Sequence, residues 1–190
     1  MEALNVPIEV SARHLHLCPE HVEILFGKNY QLTNKRELSQ KGYYVTVERV
    51  EVIGEKGSAS FGILTPLRKQ TQVEMALTDA RKLGVKPVVR MSGNLAGSAP
   101  IKLKGPAGEL ELSEGAIIAK RHIHMSDDLA AAMDLKTGDE VSVQVPGERG
   151  CIFHHVVIST GPTFDLTMHI DTDEGNAIDA GPETYGIIMK

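Results

Sequence analysis

A chain of 190 residues with 20 Lys and Arg against 25 Asp and Glu carries a formal charge of −5, and with 42% apolar and 24% charged residues it can bury a core and stay folded. The acidic balance argues against sequence-independent nucleic-acid binding, aromatics at 4% with no Trp leave few platforms for stacking bases, and no apolar run approaches the ~20 residues of a membrane helix. Two cysteines, Cys18 and Cys151, are too few for a disulfide framework, and Met1-Glu2-Ala3-Leu4 lacks the segments of a secretory signal, so the expected compartment is the cytoplasm.

Eighteen Gly and nine Pro are spread as punctuation between short alternating apolar runs, a pattern that predicts a mostly β protein, sandwich or barrel, with few and brief helices. In chain order, Asn5-Val6-Pro7 reads as the entry to a strand. His14 and His16 follow at strand spacing, and Pro19 opens a helix over Pro19–Phe26. Val45 and Val47, then Val50 and Val52, read as a strand whose alternation slips once, as at a bulge. Over residues 68–77, Arg68, Gln70, Gln72 and Glu74 share one parity and Val73, Met75 and Leu77 the other, which predicts a strand with one polar and one apolar face. The bland reading of that polar face is solvent. A short helix is predicted over residues 79–83 and another over residues 127–133, the latter capped by Ser126 with Asp127 and Asp128 complementing its dipole. Val141, Val143 and Val145 mark a strand, as do Phe164, Leu166, Met168 and Ile170. The second run puts Asp165, Thr167, His169 and Asp171 on its opposite face.

Two segments repeat. Arg13-His14-Leu15-His16-Leu17-Cys18 recurs 108 residues later as Arg121-His122-Ile123-His124-Met125-Ser126, each followed by a helix start, which suggests two related domains of similar size. Residues i and i+2 of a strand share a face, so each His pair can chelate one divalent cation and needs a third donor to make an open, catalytic type of site. A lone His-x-His is more often a hydrogen-bonded strand pair, but two copies in matching contexts favour metal. Glu74 and His169 are the candidate third donors. His21, His154 and His155 read as structure or surface, Cys18 as packing or capping at the helix entrance, and Cys151 as structural. The run Ser92-Gly93-Asn94-Leu95-Ala96-Gly97-Ser98 lacks the ending of a P-loop, and neither GxGxxG nor GxSxG occurs. His14-x-His16-x-x-x-Glu20 superficially matches a cupin metal motif, but Pro19 and Glu20 read as a helix opening and position 8 is Ile8 rather than Gly.

Taken together, Ser11-Ala12-Arg13-His14-Leu15-His16, Arg68-Lys69-Gln70-Thr71-Gln72-Val73-Glu74, Arg121-His122-Ile123-His124-Met125 and the stretch from Met168 to Ala177 resemble the PduL-type phosphotransacylases, or phosphate propanoyltransferases. The resemblance runs from about Val6 to Ala177. It implies two small β-barrel domains capped by short helices, one from residues 1–12 plus 120–190 and one from residues 13–119. It further implies two metal ions, zinc, one held by His14, His16 and Glu74 and the other by His122, His124 and His169, with Arg68 near phosphate and Ser92 lining the same pocket. The implied reaction is acyl-CoA (propanoyl or acetyl) plus inorganic phosphate giving acyl phosphate plus coenzyme A, reversibly.

One assignment puts the His14/His16/Glu74 metal at the thioester sulfur and the other metal with Arg68 at phosphate and the oxyanion; exchanging the roles fits the sequence equally well. Lys102 and Lys104 have the charge for the phosphates of coenzyme A but read more simply as wet surface. Members bound for microcompartments often carry an N-terminal amphipathic extension. Only about ten residues precede Arg13 here, so a free cytoplasmic form working beside an acyl-phosphate kinase is expected, with no nucleic-acid or membrane partner and with room for a homo-oligomer. Two rival readings use the same ligands: a dinuclear metal hydrolase of thioesters or phosphate esters, and a non-enzymatic metal-binding protein in which Cys18 joins His14 and His16.

Overall fold

The computed structural model describes residues 4–189. In chain order the first half contains β1 (Asn5–Ser11), β2 (His14–His16), α1 (Pro19–Phe26), β3 (Asn34–Glu37), β4 (Tyr44–Ile53), β5 (Ser58–Thr65), β6 (Gln72–Glu74), α2 (Leu77–Leu83), β7 (Val88–Arg90) and β8 (Ala99–Lys104). The second contains β9 (Glu109–Ala119), β10 (His122–Met125), α3 (Asp127–Ala132), β11 (Glu140–Val145), β12 (Cys151–Thr160), β13 (Thr167–Asp171), α4 (Thr172–Ala177) and β14 (Tyr185–Met189). The described residues are mostly β, with four short helices, and their contacts divide the chain into two compact units.

The unit spanning Ala12–Ala119 is a closed six-stranded barrel in which β4, β5, β2, β6, β9 and β8 pair in a ring, with β3 added beside β4 and β7 beside β9. Its core includes Leu15, Leu17, Leu25, Val50, Val52, Phe61, Ile63, Val73 and Leu103. The other unit, formed by the residues up to Ser11 and those from Lys120 onward, is a second closed barrel, β11-β12-β10-β13-β1-β14, filled by Val6, Ile123, Met125, Val143, Ile158 and Met168 among others.

The two rings match strand for strand. β2 and β10 each run parallel to one neighbour (β5, β12) and antiparallel to the other (β6, β13). β6 and β13 in turn lie parallel to β9 and β1. The repeat in sequence is therefore a repeat in topology, with one exchange. β1, which leads into the first His pair, belongs to the ring holding the second pair; β9, which leads into the second pair, belongs to the ring holding the first.

Local expectations meet the structure unevenly. The slip in β4 is a register shift between Val45 and Arg49, and Val50 and Val52 are fully buried beyond it. Ser126 caps α3 through a bond from the Leu129 N–H at 3.2 Å. Residues 68–77, in contrast, are not one strand. The chain is extended only over Gln72–Glu74, because the Arg68 N–H is given to the Leu17 carbonyl (2.9 Å) in a loop before it and Leu77 begins α2 after it. That helix starts two residues before the expected Asp79, behind Ala76, which offers no side-chain cap and so left no signal in the sequence. The strand expected to begin at Phe164 begins at Thr167, since the Phe164 N–H closes a turn onto Gly161 and Asp165 lies outside the ladder. Cys18 stands at the N-cap of α1 but makes no side-chain cap; its role is packing. Among the described residues no helix is long and apolar enough to cross a membrane.

Candidate metal centres

Strand register builds the first donor group. β2 and β6 run antiparallel with His14 opposite Glu74 and His16 opposite Gln72, so directly paired positions bring a carboxylate across from two imidazoles already on one face. His14 Nε2 lies 3.5 Å from Glu74 Oε2, and His16 Nε2 lies 3.8 Å from Glu74 Oε1. These separations are too long for hydrogen bonds. They are near the roughly 3.4 Å expected between donors that share a tetrahedral ion at about 2.0–2.1 Å. The second group repeats the device: His122 sits opposite His169 across β10 and β13. The ring centroids of His122 and His169 are 5.2 Å apart, those of His124 and His169 4.7 Å, and those of His122 and His124 4.8 Å. In each group one ligand atom per residue lies within 4.8 Å of the others.

Protonation suits the donors to a cation. The Nδ1 of His14 bonds the Ala12 carbonyl at 2.8 Å, and the Nδ1 of His122 bonds the Lys120 carbonyl at 2.9 Å. A carbonyl only accepts, so Nδ1 carries the proton in both rings and Nε2 presents its lone pair. His16, 2% exposed, keeps an Nδ1 with no hydrogen-bond partner. Burial, reinforced by His14 and Arg68, lowers its pKa to about 3, so its ring is neutral near pH 7. Burial and the neighbouring His122 lower His124 to about 4. Burial opposes charge on His14, but the Glu74 carboxylate outweighs it and raises that pKa. Glu74 is likewise held ionised against its burial, chiefly by His14. A buried carboxylate facing a neutral His16 ring and a His14 ring whose charge it favours is a set that a divalent ion would complete.

Behind Glu74 lies a network that runs out to solvent. Gln72 Nε2 donates to Glu74 Oε1 and, at 2.8 Å, to Ser92 Oγ; Gln72 Oε1 accepts the Gly93 N–H at 2.7 Å, which fixes the amide's orientation. The Ser92 hydroxyl donates to Glu74 Oε1 (3.0 Å) and accepts from Arg68 Nη1 (2.8 Å). Ser92 and Gly93 are exposed, Arg68 is half-buried, and burial lowers the Arg68 pKa. The polar face read from the sequence is therefore not a solvated one: Gln72 and Glu74 are buried, whereas Gln70 and Lys69 stay outside.

The remaining candidates fall where their local contacts put them. His21 bonds Thr71 Oγ1 at 2.7 Å, and the same hydroxyl serves the Cys18 N–H. Cys18 belongs to neither donor group. His154 bonds Ser142, His155 pairs with Glu140, and Lys102 is engaged by Glu109 at 2.6 Å. Asp171 N-caps α4 in a capping box with Glu174. The carboxylate near His169 is Glu9, 3.9 Å from Nδ1 and brought there by the β1–β13 register. The tilted ring of Phe164 lies 4.4 Å from that of His124. Glu9, Phe164 and the Gly93 N–H carry no local sequence signal, since long-range pairing and a turn place them.

The chain is similar to known proteins over most of its length. A family model described as phosphate propanoyltransferase matches residues 7–181. A phosphate propanoyltransferase of Lachnoclostridium phytofermentans is 54% identical over 174 residues, covering 90% of this chain and 81% of its own. One from Alkaliphilus metalliredigens is 44% identical over 188 residues (98% and 89%), and one from Citrobacter freundii 42% identical over 193 residues (100% and 91%).

Proposed function

This chain belongs to the phosphate propanoyltransferase family and is an acyltransferase, and we propose that it converts a short-chain acyl-CoA, propanoyl-CoA or acetyl-CoA, and inorganic phosphate reversibly into acyl phosphate and coenzyme A. The observation that supports this most directly is the shared hydroxyl of Ser92. It joins a buried metal-competent donor group, through Glu74, to a cationic fork at the solvent edge, Arg68.

Phosphate attacks a thioester slowly unless it is positioned and its charge is met. A guanidinium offers five N–H donors in a planar fork that matches two phosphate oxygens; the Ser92 contact uses one and sets the direction of the rest. Because Ser92 spends its proton on Glu74, its oxygen is committed as an acceptor for Arg68, and the hydroxyl holds the fork still. Gln72, itself fixed by the Gly93 N–H, keeps the Glu74 carboxylate from rotating away from His14 and His16. A phosphate oxygen then forms a bond to the acyl carbon, the carbonyl oxygen takes up the charge, and the carbon–sulfur bond breaks to release the thiolate of coenzyme A. His14, His16 and Glu74 would hold one divalent ion and His122, His124 and His169 a second, zinc by the chemistry of His₂Glu and His₃ sets, and such ions supply Lewis acidity for the developing oxyanion and thiolate. The acyl phosphate produced is a mixed anhydride suited to an acyl-phosphate-consuming kinase.

The test is release of free thiol from propanoyl-CoA and acetyl-CoA by purified protein, with and without phosphate, with hydroxylamine trapping of acyl phosphate, and before and after chelation with zinc added back. Phosphate-dependent release with matching acyl phosphate, lost on chelation and restored by zinc, is expected. Release that ignores phosphate would make the protein a thioester hydrolase, and full turnover after both metals are stripped would remove the ions from the reaction.

A further inference from the structure

Each His pair is preceded by an arginine that no part of the proposed chemistry uses. Arg13 Nη1 bonds Asp79 Oδ1 at 2.9 Å, its Nε donates to the Ser60 carbonyl at 3.1 Å, and its guanidinium carbon lies 5.9 Å from the centre of the Phe61 ring. Arg121 Nη1 lies 3.2 Å from Glu174 Oε1, with its guanidinium carbon 5.2 Å from the centre of the Phe153 ring. Phe61 and Phe153 occupy the equivalent strands β5 and β12.

The carboxylates are equivalent too. Glu74 and His169 each stand two residues before the N-cap of the following helix (Ala76 or Asp171), and Asp79 and Glu174 each stand three residues after it. The same triangle therefore appears twice: first histidine of the pair, third donor, and an ion pair that ties the residue before the one to the helix after the other. Capping does not explain it. Glu174 also serves a capping box, through its other oxygen, whereas α2 has no side-chain cap and Asp79 is nevertheless buried against Arg13.

We propose that Arg13–Asp79 and Arg121–Glu174 are positioning clasps, each setting within its own unit the separation between the His-x-His strand and the third donor, and thereby that unit's affinity for its metal. The inference rests on the two-ion reading above. The physical reason is preorganisation. Three donors on two strands bind an ion tightly only if their spacing is fixed before the ion arrives, and an ion pair across the ends of those strands limits the sliding and splaying that would otherwise be lost on binding.

The decisive variant is Arg13→Gln, because the two explanations differ in sign. As mere charge, removing a cation near the site tightens zinc; as a clasp, its removal loosens it. The measurement is the zinc dissociation constant by competition with a chromophoric chelator, in chains reduced to one site by His122→Ala or by His14→Ala, together with the melting midpoint of the metal-free chain. In the His122→Ala chain, Arg13→Gln and Asp79→Asn are each expected to raise the dissociation constant on the order of tenfold, the low end for groups that support a ligand. Arg121→Gln should leave it unchanged there. In the His14→Ala chain the pattern reverses, and Glu174→Gln weakens zinc although a glutamine still completes the capping box.

If Arg13→Gln does not fold, Arg13→Lys, which keeps the charge and loses the fork, should give an intermediate weakening. A purely structural pair would lower the melting midpoint and leave the dissociation constant of the folded chain where it was. Zinc affinity unchanged or tightened by Arg13→Gln, or lowered in both units by one arginine, overturns the clasp. One-site parents that bind no zinc overturn the two-ion reading itself.

Discussion

Gln72→Leu isolates the network behind Glu74 without touching a proposed ligand. The side chain is 1% exposed and of nearly the same volume as leucine, so the substitution leaves no large cavity and removes three contacts: those to Glu74 Oε1, to Ser92 Oγ and from the Gly93 N–H. Ser92 and Gly93 are exposed, and water replaces what they lose. Glu74 Oε1 is buried and keeps only the Ser92 hydroxyl, so the uncompensated loss is one hydrogen bond to a charged acceptor, about 1.5–3 kcal/mol. The same carboxylate, freed to rotate, should bind zinc about 10–100-fold less tightly, which is about 1.4–2.7 kcal/mol. The two figures coincide because both measure how firmly Glu74 is held. Urea denaturation followed through pulse-labelling of the buried Cys18, which reports on its own unit, gives the first; chelator competition gives the second. A Gln72→Leu chain with an unshifted urea midpoint and native zinc affinity would show that Glu74 is held by its histidines alone.

Arg68→Lys keeps the charge but loses the fork, so the KM for phosphate should rise about tenfold with kcat less affected; an unchanged KM would take phosphate away from Arg68. Metal-free protein should respond to acid unequally in its two units. His124, with its pKa lowered to about 4, is neutral when folded and protonates when unfolded, so its contribution is present above pH 6.5 and is lost as pH falls toward 4. In the other unit His16 loses stability in the same direction, from pH 6.5 toward 3, and the raised pKa of His14 opposes that loss, contributing stability below pH 6.5 that is lost as pH rises through it; Glu74, held low, adds its own loss only below about pH 4.5. Amide exchange of β10–β13 against β2–β6, corrected for intrinsic rates, measures the contrast, and equal acid sensitivity would contradict it. Gly186→Ala places a Cβ 2.3 Å from Val143 Cγ1 in the second barrel and should cost about 1–3 kcal/mol by overpacking, read as a lower melting midpoint with zinc binding to His14, His16 and Glu74 intact.

Features set by nearest neighbours were legible in the chain. Two histidines at i and i+2 must share a strand face, and β2 and β10 carry them so. Pro19 at the first helical position and Ser126 as a cap announce α1 and α3 from a few residues. The 108-residue recurrence foretold matching architectures, and the two rings match strand for strand. The resemblance to a known family named third donors that the local pattern left open. Alternation alone misread residues 68–77 and 164–166, because a period of two persists through turns whose backbone bonds go elsewhere, to Leu17 and to Gly161.

By itself the sequence determined the class of fold, the duplicated histidine pairs and the helices that follow them, since each depends on torsions and faces within a few residues. Only tertiary structure decided that β1 and β9 exchange rings, that Glu74 faces His14 while His169 faces His122, that Gln72 is buried rather than solvated, and that Glu9 approaches His169. Those facts are strand registers between segments tens of residues apart, and a register is chosen by burying two faces at once, which no single stretch of chain can record.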